Sequence, residues 1–175
     1  MNKMTISNQK KLGLLILSSL FILMVIPLSA QNSNVNFSGN WVLNESKSNF
    51  GDSPFRMAPT TLVVKHDGIN LSDERTQPGF DGGEMKTTEK LTLDGKVCEN
   101  IGMMESKRKS TVAWSADKKA IAIATTMVFD MGGETREMKS SETWKLGEGG
   151  TTLIVESSMV SPEGEMKSTA VYDKK

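Results

Sequence analysis

The sequence predicts an all-β protein, a single antiparallel up-and-down β-barrel of eight to ten strands behind an N-terminal signal helix. From residue 60 onward, short runs rich in Thr, Val, Ile, Met and aromatic residues alternate with Gly, Asp and Lys-Lys turns. No segment after Ala30 shows sustained helical periodicity with caps. The connections are short, which favours a closed meander over the alternative, a Greek-key sandwich with longer links.

The first thirty residues have the order of a secretory signal. Three lysines precede an apolar run at 12–26, which ends in Pro27-Leu28-Ser29-Ala30. A basic start, an apolar centre and a small residue at the junction are typical of a cleaved signal. We expect a signal peptide at 1–30, cleavage after Ala30, and an exported barrel domain at 31–175 that is periplasmic or secreted. The alternative is an uncleaved anchor, because the run approaches the ~20 apolar residues of a membrane span.

Charge and composition exclude several classes of function. The 175 residues carry 21 basic and 21 acidic side chains, but those after Ala30 carry 18 and 21, a net charge of −3. This balance argues against nucleic acid as a partner, since phosphate binding needs a basic face. One cysteine and one histidine exclude a disulfide scaffold and a Cys/His metal cluster. We expect Cys98 to be a small buried hydrophobic residue in a strand, because nothing places His66 beside it as a base.

The strands are predicted in chain order from turn signals. After one N-terminal strand they occupy 60–66, 69–76, 84–93, 96–101, 108–115, 119–129, 134–146, 151–160 and 165–172. The first eight of these form four hairpins. Asp67-Gly68 and Asp94-Gly95 are hairpin signals for type I′ turns, which need a positive φ at both central residues. Pro54, Pro59 and Pro78 lie outside the predicted strands.

An internal repeat indicates which side chains share a face. Residues 84–93, 137–146 and 165–172 align without gaps. Side chains alternate between the two faces of a strand, so each copy divides into two sets. One set is rich in Lys, Thr and Ser and is predicted to face solvent. The other set has the order Met, a small hydroxyl residue, Glu (Ala in the third copy) and then large apolar residues, and it is predicted to face inward. Its members include Met85, Met138, Met166, Glu89, Glu142, Trp144 and Tyr172.

The predicted interior therefore contains charge. A buried carboxylate must pair, protonate or meet water. Arg75 shares strand parity with Ile69 and Leu71, and Arg108 shares it with Ser110, Val112 and Trp114. Both arginines are expected to project inward and to pair with Glu89 or Glu142. Two interpretations stay open: a polar, partly wet lumen with a ligand cavity, or a structural ion-pair network with glutamates near a wet rim.

Several motifs resemble a family of exported bacterial lipocalin-like proteins. The resemblance begins with Phe37-Ser38-Gly39-Asn40-Trp41 followed by Leu43, Lys47, Ser48 and Phe50, and continues through Asp94-Gly95-Lys96, the Trp114 and Trp144 hairpins and Val171-Tyr172-Asp173-Lys174-Lys175. It implies a calycin-like barrel with an internal cavity and no established reaction. In lipocalin-type barrels the tryptophan lies at the closed base, often under an arginine, and this is the role implied for Trp41.

These observations predict a small-molecule carrier of the cell envelope. The ligand would be apolar or amphipathic, and its candidate binding residues are Glu89, Glu142, Arg75, Arg108, Met85, Met138, Met166, Trp114, Trp144 and Tyr172. We expect a monomer without catalytic activity, cofactor or metal, which contacts a membrane only through its signal segment. The alternative is an interaction or inhibitor module with a packed interior, whose contacts would be an exposed loop at 77–83 and the turn at Met103-Met104.

Two other functions are disfavoured. Glu89 and Glu142 could form an acid/base pair as in glycosidases, but they occupy repeated strand positions that need no catalytic explanation. Nine methionines follow Ala30, yet no Met-x-Met run accompanies them and His66 is the only imidazole. Methionine is therefore expected to fill gaps in the core and not to bind copper.

Trp41, Trp114 and Trp144 are each in phase with an apolar set and are expected to be largely buried.

Overall fold

The computed structural model describes residues 34–51, 58–79, 82–131, 133–161 and 164–175. The predicted signal segment, its cleavage junction and Pro54 lie outside these residues. Within the described ranges, no helix combines the length and the apolar character needed to cross a bilayer.

Ten strands make up the domain, as the meander prediction requires. They are β1 (Gly39–Leu43), β2 (Thr61–Asp67), β3 (Asn70–Pro78), β4 (Glu84–Thr92), β5 (Cys98–Ile101), β6 (Lys107–Trp114), β7 (Ala120–Met131), β8 (Glu134–Leu146), β9 (Thr152–Ser161) and β10 (Gly164–Lys174). The helical elements in the described ranges are three short 3₁₀ turns, at Glu45–Lys47, Met103–Glu105 and Glu148–Gly150. The all-β prediction is confirmed.

The strands form one antiparallel sheet that curls into a nearly closed barrel. Its order is β4-β3-β2-β1-β10-β9-β8-β7-β6-β5, so almost every neighbour in the sheet is also a neighbour in the chain. The exception is the pairing of β1 with β10, in which Trp41 lies opposite Lys174 and Leu43 opposite Tyr172. This pairing brings the two ends of the meander together, and no Greek-key crossover is present among the ten strands.

The barrel closes at a seam between β4 and β5, and here the predicted fourth and fifth strands do not form the expected hairpin. No backbone ladder joins β4 to β5 in the part of the chain that the structure describes. Instead the Asn100 side chain bonds the backbone of Lys90 twice: its Oδ1 accepts from Lys90 N–H at 2.9 Å and its Nδ2 donates to Lys90 C=O at 3.0 Å. One amide side chain thus replaces a backbone partner at the β4–β5 seam.

One end of the barrel, the base, is closed by aromatic residues. The base carries the turns before β3, β5, β7 and β9, together with residues 34–38, which run across it from β2 to the β6–β7 turn. Phe37 is fully buried and its ring lies 6.2 Å from those of both Trp114 and Trp144. His66 uses both ring nitrogens here, since Phe37 N–H donates to Nδ1 at 3.2 Å and Nε2 lies 3.2 Å from Gly68 C=O. The histidine is therefore part of the base core.

The tryptophan predictions are confirmed in two cases and modified in the third. Trp41 and Trp144 are fully buried, while Trp114 is only partly buried and packs against the edge of the core. Trp41 lies at the base, as the resemblance implies, and its indole N–H donates to Phe37 C=O at 3.0 Å. The cation over its ring is Lys174 Nζ, 5.1 Å from the centroid, and not an arginine.

Gly39 explains the spacing of the Gly-x-Trp motif. A Cβ at this position would lie 2.8 Å from Lys174 Cε and 3.2 Å from the Trp41 ring. Both contacts are closer than carbon atoms normally approach, so a side chain would push the lysine and the indole apart. Glycine therefore permits the close packing of β1 against its own tryptophan and against the end of β10.

Three further local predictions were wrong. The β2–β3 turn is centred on Gly68 and Ile69, one residue later than predicted, and only Gly68 has a positive φ, of 59°. This is the pattern of a type II′ turn, and it leaves Ile69 56% exposed. Pro78 was predicted to lie outside the strands, but it is the last residue of β3. It lies beyond the segment that pairs with β2, so its missing N–H breaks no β2–β3 bond.

Cys98 is the third correction. It lies in a strand, as predicted, and is the first residue of β5, but it is only partly buried and is a free thiol. Its sulfur lies at the β4–β5 seam, where Thr92 N–H donates to Sγ at 3.2 Å. The residue is half exposed because the strand it belongs to lies at an open edge of the sheet.

Candidate functional site

The barrel interior changes character from the base to the opposite end. Above the base core lies a layer of five charged side chains, which we call the charged layer: Asp73, Arg75, Glu89, Arg108 and Glu142. Above it is the mouth, the end of the barrel that carries the turns before β4, β6, β8 and β10. Alternation along the strands gives this order, because on β8 the inward positions run from Trp144 through Glu142 to Met138.

Arg75 is the centre of the larger ion-pair network. Its Nη1 and Nη2 donate to the two carboxylate oxygens of Glu142 at 2.8 and 3.2 Å, and its Nε donates to Asp73 Oδ1 at 2.7 Å. Trp144 supports the same carboxylate, since its indole N–H donates to Glu142 Oε2 at 2.8 Å. Arg75 also lies 5.7 Å from the centroid of the Trp144 ring. The two-pronged geometry fixes the guanidinium plane against β8.

Glu89 and Arg108 form a second, looser pair. Arg108 Nε lies 2.7 Å from Glu89 Oε1, but its N–H does not point at the oxygen, so the two charges attract without a hydrogen bond. Neither oxygen of Glu89 nor Oδ2 of Asp73 has a hydrogen-bond partner among the described residues. Both side chains are essentially without solvent exposure, at 1% for Glu89 and 0% for Asp73. Three buried acceptor atoms thus lack a donor.

The electrostatics of the layer follow from this arrangement. Burial raises the pKa of Glu89, Arg75 and Arg108 oppose the rise, and Asp73 and Glu142 add to it. Burial also acts on Glu142, but attraction to Arg75 and hydrogen bonds from Arg75 and Trp144 outweigh it and lower that pKa. Burial opposes the charge of Arg75, and the carboxylates of Asp73, Glu142 and Glu89 more than offset it, so its pKa is raised. Three acids against two arginines leave one negative charge in excess when all are ionised.

The mouth is lined by methionines, which corrects the prediction that methionine fills the core. None of the methionines whose side chains are described is buried: Met85, Met103, Met127, Met138 and Met159 are partly exposed and Met166 is 40% exposed. Met127 lies opposite Met138 on β7 and β8, and Met159 lies opposite Met166 on β9 and β10. Flexible thioethers on one wall of an opening can adapt to ligands of different shape.

Two depressions stand out in the described part of the chain, and both are open to solvent on the outer face of the sheet. One, of about 400 Å³, lies over β8–β10 and is lined by Ser141, Thr143, Glu156, Ser158, Lys167 and Thr169 among others. The second, of about 300 Å³, lies over β6–β8 and has a floor of small residues, among them Ala113, Ala122 and Ala124. The base half of the interior is filled, because Trp144 and Tyr172 are buried core residues there.

The structure brings together most of the predicted binding residues. Glu89 and Glu142 point inward and each meets an arginine, which confirms the register argument from the repeat. Met85, Met138 and Met166 lie at the mouth, while Trp114, Trp144 and Tyr172 belong to the base. That a ligand touches any of them stays a prediction. The predicted contact loop at 77–83 is shorter than expected, since Gln77 and Pro78 belong to β3.

Asp73 was missed by the sequence reasoning. It has the same strand parity as Leu71 and Arg75, so the signal that placed Arg75 inside also applied to it. Among the described residues, no group of three His, Cys, Asp or Glu side chains is arranged to hold a metal ion. Each acid of the charged layer instead faces an arginine.

Comparisons with known proteins bear on the fold. No protein-family model matches the sequence, and no curated protein matches it. Among solved structures, the chain is similar to the zebrafish ileal bile acid-binding protein complexed with cholic acid, with a TM-score of 0.51 and 16% identity over 79% of this chain and 98% of the other. At this identity the likeness shows the fold alone: a calycin-like β-barrel, as the sequence motifs implied.

Proposed function

We propose that this protein is a small-molecule carrier that takes an apolar or amphipathic ligand through the mouth of the barrel, and that it has no catalytic activity. The observation that carries the proposal is the wall of partly exposed, inward-facing methionines above a charged layer. Such a wall offers apolar contact near the opening and polar groups deeper inside, which is what an amphipathic molecule needs. The structurally similar zebrafish protein, which binds cholic acid, supports the proposal by its fold.

The charged layer supports a binding role over an acid/base role. The carboxylate of Glu142 is engaged by Arg75 and Trp144 on both oxygens. Its pair with Arg75 is a structural contact that joins β3 to β8 across the barrel interior. The repeat already places glutamates at these strand positions, so their inward orientation requires no catalytic explanation.

A fluorescence titration tests the carrier function. The probe is N-phenyl-1-naphthylamine, which is neutral and emits strongly only in an apolar environment. We expect saturable enhancement with the purified protein, and a loss of about tenfold or more in probe affinity for Met138→Asn, whose side chain lines the mouth. The matched control is Ser141→Asn on the outer face of the same strand, which should retain the wild-type affinity. Equal loss in both variants, or no enhancement at all, would contradict the proposal.

A second candidate is an interaction module, favoured by the position of both depressions on the outer face of the sheet. In that case the probe would bind, if at all, outside the barrel. Ser141→Asn would then weaken probe binding while Met138→Asn would not. The same titration therefore separates the two candidates.

We also propose that the protein is exported and acts as a monomer of the cell envelope. The support is the order of lysines, apolar run and Pro27-Leu28-Ser29-Ala30 at the N-terminus. Mass spectrometry of the exported protein should find Gln31 as the first residue, and an intact Met1 would favour the anchor instead. Light scattering should give the mass of one chain.

A further inference from the structure

The charged layer has an unbalanced set of hydrogen-bonding groups. Among the described residues, three buried carboxylate oxygens lack a donor, Oδ2 of Asp73 and both oxygens of Glu89, and one buried donor, Arg108 Nε, lacks an acceptor. The two residues lie directly opposite each other on β3 and β4. A buried acceptor without a donor costs free energy, so native interiors normally satisfy such atoms with protein, water or ligand.

The charge of the layer has the same sign as most of its unsatisfied atoms, which are three acceptors and one donor, Arg108 Nε. Asp73, Glu89 and Glu142 outnumber Arg75 and Arg108, and both arginines already contact carboxylates at 2.7–2.8 Å. An incoming carboxylate would add to the excess negative charge, and the one buried donor without a partner, Arg108 Nε, already lies 2.7 Å from Glu89 Oε1. An incoming ammonium would reduce the excess and would supply donors to oxygens that have none.

The layer can be approached from the mouth. The side chains of Arg108 and Glu142 keep 16% and 18% of their exposure, and the inner-face serines beside or above Glu142, which are Ser157, Ser168 and Ser140, are partly exposed. Towards the base, the layer is backed by buried core residues such as Leu71 and Leu91. The unsatisfied oxygens of Asp73 and Glu89 are themselves buried beside these partly exposed groups, so a head group reaches them from the mouth by displacing the side chains above them.

We propose that the ligand of this barrel is a cationic amphiphile, an apolar body with an ammonium or similarly donor-rich head, whose head binds at Asp73 and Glu89 while its body lies against the mouth methionines. This inference rests on the proposed carrier function and names the class of its ligand. It distinguishes this barrel from one built for a carboxylate head, which would present arginines without acidic partners.

Displacement of N-phenyl-1-naphthylamine by three amphiphiles of equal chain length tests the inference. Decylamine, decanol and decanoate are used below their aggregation concentrations at pH 7. We expect decylamine to bind about tenfold or more tightly than decanoate, with decanol between them. If decanoate binds as tightly as decylamine or more so, the inference is wrong while the carrier function stands. If the probe binds and none of the three displaces it, the inference is also wrong.

A pair of variants assigns the effect to the charged layer. Glu89→Gln keeps the shape of the side chain and removes its charge, so decylamine affinity should fall about tenfold while decanol affinity stays within about twofold. The matched control is Glu156→Gln, which removes one negative charge from the exposed outer face of β9. An equal loss in both variants would show non-specific attraction to an acidic protein and would overturn the inference. Probe affinity itself should be unchanged in Glu89→Gln, which shows that the variant is folded.

Discussion

The ion pair between Arg75 and Glu142 provides the sharpest test of how the interior is stabilised. Removing one partner of a buried pair costs about 3–5 kcal/mol, because the other charge is left without compensation. In Glu142→Ala the guanidinium would lose two hydrogen bonds, at 2.8 and 3.2 Å, and Trp144 would lose its acceptor. Asp73 would still hold Arg75 Nε at 2.7 Å. We therefore expect the lower end of the range, about 3 kcal/mol.

Urea unfolding followed by tryptophan fluorescence measures this loss. With a slope of about 2 kcal/mol per M for a domain of this size, the midpoint should fall by about 1.5 M. The control is Glu156→Ala, which removes an exposed ion pair with Lys145 on the outer face and should shift the midpoint by only a small fraction of that amount. A loss below about 1 kcal/mol in Glu142→Ala would refute a buried pair and indicate that water already screens the site.

Asp73 changes what a compensating substitution can achieve. Replacing Glu142 and Arg75 together by leucine would be near neutral if they formed an isolated pair. Here it would leave Asp73, which is fully buried, opposite Glu89 and without its arginine. The double variant should therefore be no more stable than Glu142→Ala, and adding Asp73→Leu should recover most of the loss. A near-neutral double variant would show that Asp73 contributes nothing to the network.

Three further predictions concern the charged layer, the seam and the base. Burial raises the pKa of Glu89, so its protonated form contributes stability that is fully present below the unfolded pKa of about 4.3 and is lost as pH rises through the folded pKa. The urea midpoint of the wild type should therefore fall relative to that of Glu89→Gln between pH 4 and pH 8. Parallel curves of midpoint against pH for the two proteins would contradict this. Asn100→Ala removes both side-chain bonds to Lys90, so it should cost about 1 kcal/mol and speed amide exchange at Lys90, whereas Glu99→Ala, on the opposite face of β5, should leave that amide unchanged. Gly39→Ala should cost about 1 kcal/mol or more, because its Cβ would meet Lys174 and the Trp41 ring; a variant as stable as the wild type would show that both side chains move aside freely.

The strands and the inward glutamates could be predicted from the sequence because both depend on local, period-two patterns. Turn residues such as those at Gly68 and Gly95 divide the chain, and alternation then assigns each side chain to a face. Glu89 and Glu142 follow from this rule without any knowledge of their partners. The same rule applied to β3 would also have placed Asp73 inside, beside Arg75.

The remaining features depend on relations between distant strands. That β4 and β5 separate follows from the closure of the whole barrel, and nothing in the Asp94-Gly95 turn indicates it. The exposure of the methionines depends on where the inner face opens to solvent, which is set by how far β7–β10 extend beyond the base. Whether Glu89 finds a hydrogen-bond donor depends on the orientation of Arg108 across the barrel, and strand parity carries no information on that angle.

The β4–β5 seam and the β1–β10 pairing together determine how the chain could be rearranged. Lys175 N–H donates to Asn40 C=O at 2.8 Å, so the end of β10 already meets the start of β1 at the base. A circular permutant that links Lys175 to the segment before β1 and begins at Lys96 would make the pairing of β1 with β10 a local one. Its new termini would lie at the β4–β5 seam, where the described residues form no ladder. Its contact order would be lower than that of the natural chain, and it should fold faster. In the natural order, by contrast, the two halves of the sheet become continuous only when the last strand pairs with the first.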